Sequence, residues 1–307
     1  MNRRITLLFL ATLATSLGLV VPLPKFSSQV AGLPRLDFGM NYAWADTPDK
    51  APAGLVNSIA ALDAAANKRD LNAAMQFYDP DFKNSDGLTK DTLRRALEVL
   101  WQKYPNLQYR TEMVKWERTG DTYKVQTATR AQGNRGDGAT KFKLEAQLTS
   151  VQTYSNRGSS WQISQQEILS EGSSLTSGEK PPEVELRMPN KIGVGREYAL
   201  DAVVTEPLGA SLLLGAVLEE SVNPDSYLKE STVNLQALRS GGMFRIGKAP
   251  YNEGDRWVSV VLVRENGITI TGKRLQVSKD LIGEQYKSLP ESGTTPSRIR
   301  PSNQQTL

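Results

Sequence analysis

The spacing of apolar residues changes near Leu107, and this change limits the folds open to the chain. Before Leu107, apolar residues recur every three or four positions, which is the period of an amphipathic helix. After it, apolar and polar residues alternate through four long segments, at 107–118, 122–130, 141–154 and 161–169. This alternation predicts a long-stranded antiparallel sheet with one apolar face that other elements must cover.

Three helices are predicted ahead of the sheet and are available to cover that face. The first is rich in alanine and stops near Lys68-Arg69. Asp70 caps the second helix, which ends at Pro80 because proline cannot continue the backbone hydrogen bonds. Thr89 caps the third, and Pro105 closes it.

The order of these elements, together with the stretch Phe77-Tyr78-Asp79-Pro80-Asp81-Phe82, resembles the nuclear transport factor 2-like superfamily and its SnoaL-like members. The resemblance covers residues 53–172. It implies an α+β fold in which a cone-shaped, curved antiparallel sheet wraps three helices. In that superfamily the cone holds a ligand, an active site or only side chains, and the members include steroid isomerases, dehydratases, polyketide cyclases and non-enzymatic adaptor or assembly domains.

The resemblance also indicates candidate site residues. Enzymes of the superfamily use a pocket aspartate, and Asp81 matches the second acid of the stretch, so Asp81 is the candidate catalytic base. Asp79 and Asp81 fit turn or cap positions as well. The aromatic residues that would line the pocket, or pack as core, are Tyr78, Trp101, Tyr109 and Trp116.

The chain has no cysteine and no histidine. Disulfides, thiolate metal sites and Ser-His-Asp catalysis are therefore excluded, and any metal site would need oxygen ligands alone. Gly242, Gly247 and Lys248 match the spacing of a phosphate-binding loop, but Ala249 stands where that loop needs Ser or Thr. We predict neither a metal nor a cofactor.

Residues 1–45 have the features of a signal peptide. Arg3 and Arg4 precede an apolar run at 5–21, and Ala43-Trp44-Ala45 offers a cleavage site. An uncleaved membrane anchor is the alternative reading. Either way we predict an extracytoplasmic protein, in the periplasm, tethered to the membrane or in a thylakoid lumen. The leader carries most of the net charge of +4, so no nucleic-acid partner is expected.

A second domain is predicted after a linker. Residues 173–182 are rich in Gly, Ser and Pro and indicate the linker. Residues 183–280 show short alternating segments that predict an immunoglobulin-like β-sandwich, interrupted by a short helix near Leu235. Residues 281–307 are polar, which predicts a disordered tail. Two such domains behind a leader resemble exported proteins of cyanobacteria.

Two functions follow from these expectations. The first is an exported, non-catalytic binding or assembly protein that engages a protein partner or a small apolar ligand through the cone or the groove between the domains. The alternative is an isomerase, dehydratase or cyclase that uses Asp81 as its base. Membrane contact is expected only with an uncleaved leader, and the cone sheet offers a surface for oligomers.

Overall fold

The computed structural model describes residues 50–136, 141–158, 160–207, 212–228, 231–238 and 241–280. The predicted leader at 1–45 and the predicted tail at 281–307 lie outside these ranges, so both stay predictions. Within the described ranges, no helix has the length and apolar character needed to cross a membrane.

Three helices form as the sequence predicts: α1 (Ala53–Asn67), α2 (Leu71–Met75) and α3 (Lys90–Lys103). The side chain of Asp70 caps α2 by accepting a hydrogen bond from the N–H of Ala73 at 2.9 Å. Thr89 caps α3, and Oγ1 of Thr92 accepts a hydrogen bond from the N–H of Thr89 at 2.7 Å. Both helices therefore begin where a side chain satisfies their first free N–H groups.

Five strands complete the first part of the chain: β1 (Tyr78–Asn84), β2 (Gln108–Thr119), β3 (Thr122–Arg135), β4 (Phe142–Arg157) and β5 (Ser160–Gly178). Strands β2 to β5 are neighbours in an antiparallel sheet, as predicted. The prediction was wrong at β1, where a helix end and a turn were expected. Tyr78 instead lies opposite Ile163 in a parallel pair with β5, because tertiary pairing overrides the turn preference of Asp-Pro-Asp.

Bulges interrupt the long strands of this sheet. One extra residue, Val114, breaks the register of β2 against β3, and Leu169 does the same in β5 against β4. Each bulge bends its strand and increases the local twist. The sheet is therefore curved, which agrees with the expected cone, and helices and sheet share one apolar core.

The second part of the chain is built from eight strands: β6 (Val184–Arg187), β7 (Lys191–Gly193), β8 (Glu197–Val204), β9 (Leu213–Ser221), β10 (Gln236–Leu238), β11 (Gly242–Lys248), β12 (Arg256–Arg264) and β13 (Gly267–Ser278). Strands β11, β8 and β6 form a three-stranded sheet. Its inner residues Tyr198, Leu200 and Ala202 share an apolar core with β12 residues such as Val258 and Val260.

The layer opposite the three-stranded sheet is not an independent sheet. Strands β10, β9, β12 and β13 continue the sheet of the first part, because β13 pairs with β5. The two layers pack around one core, but one of them belongs to a long sheet that runs through both parts of the chain, so a separate immunoglobulin-like sandwich is not clearly shown. The α+β class is as predicted.

The predicted linker is where the two parts join. Residues 173–178 are the end of β5, and Gly172 to Gly178 pair with β13 from Lys273 to Gly267. The prediction of a linker at 173–182 was wrong in this portion because glycine and serine were interpreted as flexible. Small residues are needed here because the two backbones pack closely. Gly178 has φ +99°, and a Cβ on it would lie 2.4 Å from the carbonyl oxygen of Asn266.

The helix predicted near Leu235 is also absent from the described residues. Residues 236–238 form strand β10, which pairs with β9, and the one helical turn nearby is a 3₁₀ turn at Ser226–Leu228. Gly242 is the first residue of β11. The short apolar pattern of this segment fits either structure, and pairing with β9 decides between them.

Candidate functional site

The structure separates the predicted base from the predicted pocket residues. Tyr78, Trp101, Tyr109 and Trp116 are all buried, whereas Asp81 is exposed. The N–H of Asp81 donates a hydrogen bond to Oδ1 of Asp79 at 3.0 Å, which is the geometry of a turn residue. Asp81 therefore does not reach the interior that its predicted role requires.

Tyr109 and Trp101 form one fixed unit at the end of β2. The indole Nε1 of Trp101 donates a hydrogen bond to the hydroxyl oxygen of Tyr109 at 2.8 Å. The backbone of Tyr109 is held by the side chain of Asn67, which accepts from its N–H at 2.7 Å and donates to its carbonyl oxygen at 3.1 Å. Because an indole N–H can only donate, the hydrogen of the Tyr109 hydroxyl is directed elsewhere.

Trp116 lies farther along β2 in a different aromatic group. Its ring stacks on Tyr123 with the centroids 6.1 Å apart, and Tyr123 meets Trp161 edge-on at 4.9 Å. This group packs side chains against one another, as expected of core aromatic residues. Trp116 therefore packs in the core with Tyr123, in a different group from Tyr109 and Trp101.

Tyr78 shares the interior with two other phenols. Its ring meets Phe82 edge-on at a centroid distance of 4.8 Å. Burial raises the pKa of Tyr78 well above its ordinary value, and the nearby Tyr154 and Tyr109 add to that rise. Three buried tyrosines therefore surround one region between the helices and the sheet.

Asp63, which the sequence analysis did not single out, is the acid inside the cone. It lies on α1 with 2% of its surface exposed, and its Oδ2 accepts a hydrogen bond from the N–H of Thr111 at 3.3 Å. Burial raises the pKa of Asp63 to about 8, and the Thr111 hydrogen bond offsets only part of this rise. At pH 7 most of the Asp63 carboxyl group is therefore the neutral acid, which can donate a hydrogen bond.

The sequence contains a signal for Asp63. It stands four residues after Ile59 and three before Ala66, on the stripe of α1 that faces the core. A charged residue on an apolar stripe is uncommon in a core and indicates a special environment. Asp63 also lies near Tyr154, because the Asp63 charge contributes, after burial, to the raised pKa of that phenol.

A band of buried polar side chains lies on the face of the sheet that carries the helices. We call this set the polar band: Thr111, Thr127, Thr129, Ser150, Gln152 and Gln166. Its members lie opposite one another across β2 to β5, in the pairs Thr111–Thr129, Thr127–Ser150 and Gln152–Gln166. An interior that serves only packing would be expected to be apolar at most of these positions.

Hydrogen bonds join members of the polar band to one another and connect the band to Tyr154. The hydroxyl oxygens of Thr111 and Thr129 are 2.6 Å apart, and those of Thr127 and Ser150 are 3.3 Å apart. The hydroxyl of Tyr154 donates to Oε1 of Gln152 at 2.7 Å. The cone therefore presents donors and acceptors at fixed positions within apolar walls. Among the described residues, no cluster of acidic side chains is arranged to hold a metal ion.

A family model matches the second part of the chain. Residues 179–278 match a family model described as "Domain of unknown function (DUF8623)". No curated protein matches the chain.

Solved structures are similar to about a third of this chain. The structure of Bd1075 from Bdellovibrio bacteriovorus is 17% identical, with a TM-score of 0.30, and the match covers 35% of this chain and 36% of Bd1075. A putative scytalone dehydratase from Novosphingobium aromaticivorans is 12% identical, with a TM-score of 0.31 and coverage of 35% and 74%. LinA is 15% identical, with a TM-score of 0.32 and coverage of 38% and 82%.

Proposed function

We propose that this chain is an exported binding protein whose cone encloses a small, largely apolar ligand. The observation that carries the proposal is the buried Asp63 beside the polar band, inside walls that are otherwise apolar. Ligand sites in proteins combine mostly apolar linings with a few fixed polar groups that orient the ligand. The neutral Asp63 carboxyl group and the Tyr109 hydroxyl supply donors, so the ligand is expected to carry a hydrogen-bond acceptor such as a carbonyl or hydroxyl oxygen.

Asp63 favours binding over base catalysis at neutral pH. A general base must be ionised to accept a proton, and a carboxyl group with a pKa of about 8 is mostly protonated at pH 7. The second candidate function is an isomerase, dehydratase or cyclase with Asp63, rather than Asp81, as the base. A pKa of about 8 for Asp63 favours this enzymatic function only in alkaline solution, where the ionised fraction of Asp63 rises.

The test uses a protein that begins at Asp46, purified without denaturation from the extracytoplasmic fraction of expressing cells. Native mass spectrometry is expected to reveal a small-molecule adduct, and a panel of neutral cyclic ketones and phenols is expected to raise the melting temperature. Asp63→Leu should remove both effects, because leucine offers no donor, and the exposed Asp81→Asn is the matched control. Absence of any adduct and of any shift across the panel would reject the proposal.

Asp63→Asn separates the two functions. Asparagine keeps a hydrogen-bond donor but cannot accept a proton as a base does. Under the binding proposal, Asp63→Asn keeps the shift in melting temperature. Under the enzymatic alternative, it abolishes turnover of any ligand that the wild type converts, and the wild-type rate increases as the pH rises through 8.

Export is proposed from the leader sequence. N-terminal sequencing of the protein from fractionated cells is expected to begin at Asp46. A chain that starts at Met1 and stays with the membrane fraction would instead indicate an uncleaved anchor.

A further inference from the structure

A buried cluster of charged side chains lies where the two parts of the chain meet. Arg274 on β13 is at its centre, with 2% of its surface exposed. Its guanidinium group contacts Asp86 in the turn before α3, Glu171 on β5 and Asp255 just before β12, at 2.8, 2.7 and 2.9 Å respectively. We call these four residues the Arg274 cluster. It connects the first part of the chain to the second in addition to the β5–β13 pairing.

The charges of the Arg274 cluster do not balance. Three carboxyl groups surround one guanidinium group, and the Tyr227 hydroxyl adds a hydrogen bond to Asp86. Oε1 of Glu171 accepts no hydrogen bond from the described residues. Burying a second and third negative charge beside one positive charge is unfavourable, so one carboxyl group is expected to hold its proton most firmly.

Glu171 is the carboxyl group that fits this role. It is buried, it faces Arg274, Asp86 and Asp255, and Tyr227 lies near it from the 3₁₀ turn. A further cation, Lys191, acts on Asp255. When Glu171 loses its proton, the cluster gains a negative charge that Arg274 compensates only in part, because Arg274 also pairs with Asp86 and Asp255.

We propose that the Arg274 cluster is a pH-sensitive clasp that holds the second part of the chain against the cone and loosens as the pH rises from mildly acidic to neutral. Burial raises the pKa of Glu171 to about 7 from an ordinary 4.5, and Arg274 opposes that rise. Burial also raises the pKa of Asp255. A raised pKa means that the closed state binds the proton more tightly than the open state. The clasp is therefore tightest below about pH 5 and weakens through pH 7.

Hydrogen exchange of the full mature chain, followed by mass spectrometry, tests the clasp. After correction for the chemical exchange rate, opening at the β5–β13 pairing (residues 172–178 and 267–273) should increase roughly ten- to hundredfold between pH 5 and pH 8. Glu171→Gln, a neutral stand-in for the protonated acid, should remove most of that increase. Asp81→Asn is the control and should keep it, because Asp81 is exposed and lies outside the Arg274 cluster.

Three outcomes would overturn the proposal. They are equal protection of the pairing at both pH values, a full pH effect in Glu171→Gln, and a loss of the effect in Asp81→Asn. A direct carboxyl NMR titration of wild-type Glu171 tests the same idea without a variant. A midpoint near 7 supports the clasp, and a midpoint near 4.5 rejects it.

Discussion

Arg274 and Asp86 form a two-point ion pair across 188 positions of sequence, with Nη1–Oδ1 at 2.8 Å and Nη2–Oδ2 at 2.9 Å. Two parallel hydrogen bonds fix both the distance and the orientation of the guanidinium plane. The pair connects the turn before α3 with β13, which is a neighbour of β5 in the sheet. Arg274 therefore adds a fixed polar contact to the β5–β13 pairing that joins the two parts of the chain.

Arg274→Met is expected to lower the free energy of unfolding by about 3–5 kcal/mol, because it leaves the buried Asp86 and Glu171 and the partly buried Asp255 without their cation. Urea unfolding at pH 7 measures this. Arg187→Met is the matched control, since the Arg187–Glu185 pair is largely exposed, and should leave the free energy of unfolding nearly unchanged. Similar losses in both variants would contradict a special role for Arg274.

Asp63→Asn should flatten the pH dependence of stability. The pKa of Asp63 is about 8 in the folded protein against an ordinary 3.8, so the folded state favours the protonated acid. The stabilising contribution is complete below about pH 4 and is lost as the pH rises through 8. Wild-type stability should therefore fall between pH 5 and pH 8.5, and that of Asp63→Asn should fall less. Chemical denaturation at both pH values measures the difference, and Asp81→Asn should behave as the wild type does.

Thr111 and Thr129 should be coupled. Replacing either one with valine leaves the other hydroxyl without its partner at 2.6 Å and should cost about 1–3 kcal/mol. The double variant should cost less than the sum, because both polar groups are gone. Thermal unfolding of the wild type, both single variants and the double variant gives the coupling energy. Strictly additive costs would mean that the two hydroxyls do not depend on each other.

Gly178→Ala should be clearly more destabilising than Gly120→Ala. Both glycines have positive φ, +99° and +61°, so both substitutions bear backbone strain. Only at Gly178 would the new Cβ also collide with the backbone of Asn266 and Gly267, whereas nothing lies within 4 Å at Gly120. The difference in melting temperature isolates the cost of the collision, and equal losses would show that strain alone decides.

The first part of the fold could be predicted because its signals are local. The caps at Asp70 and Thr89 and the alternation along β2 to β5 each depend on residues close in sequence. β1 could not be predicted, since Pro80 and the acidic residues on either side of it favour a turn. These residues form a strand because they pair with β5, which is distant in sequence. The β5–β13 pairing was missed for the same reason.

The candidate site was only partly predictable. The aromatic candidates are buried, since size and apolarity decide burial, and their role in a pocket stays a prediction. Asp63 stands in an alanine-rich helix without a local motif, and the stretch Asp79-Pro80-Asp81 drew the prediction to Asp81 instead. The partners of Arg274 stand at positions 86, 171 and 255, and no spacing rule joins residues so far apart.

The pairing of β5 with β13 determines where this protein can be cut. The family match starts at residue 179, directly after the last residue of β5, yet seven residue pairs join β5 to β13 before that point. In a fragment of residues 179–278, the edge of β13 that normally pairs with β5 would expose unpaired N–H and C=O groups. In a fragment that ends at residue 178, the corresponding edge of β5 would be exposed in the same way. Such open strand edges recruit other chains, and the core that contains the helices also includes Trp257, Val261 and Ile270 of the second part, so the two halves are expected to aggregate when separated.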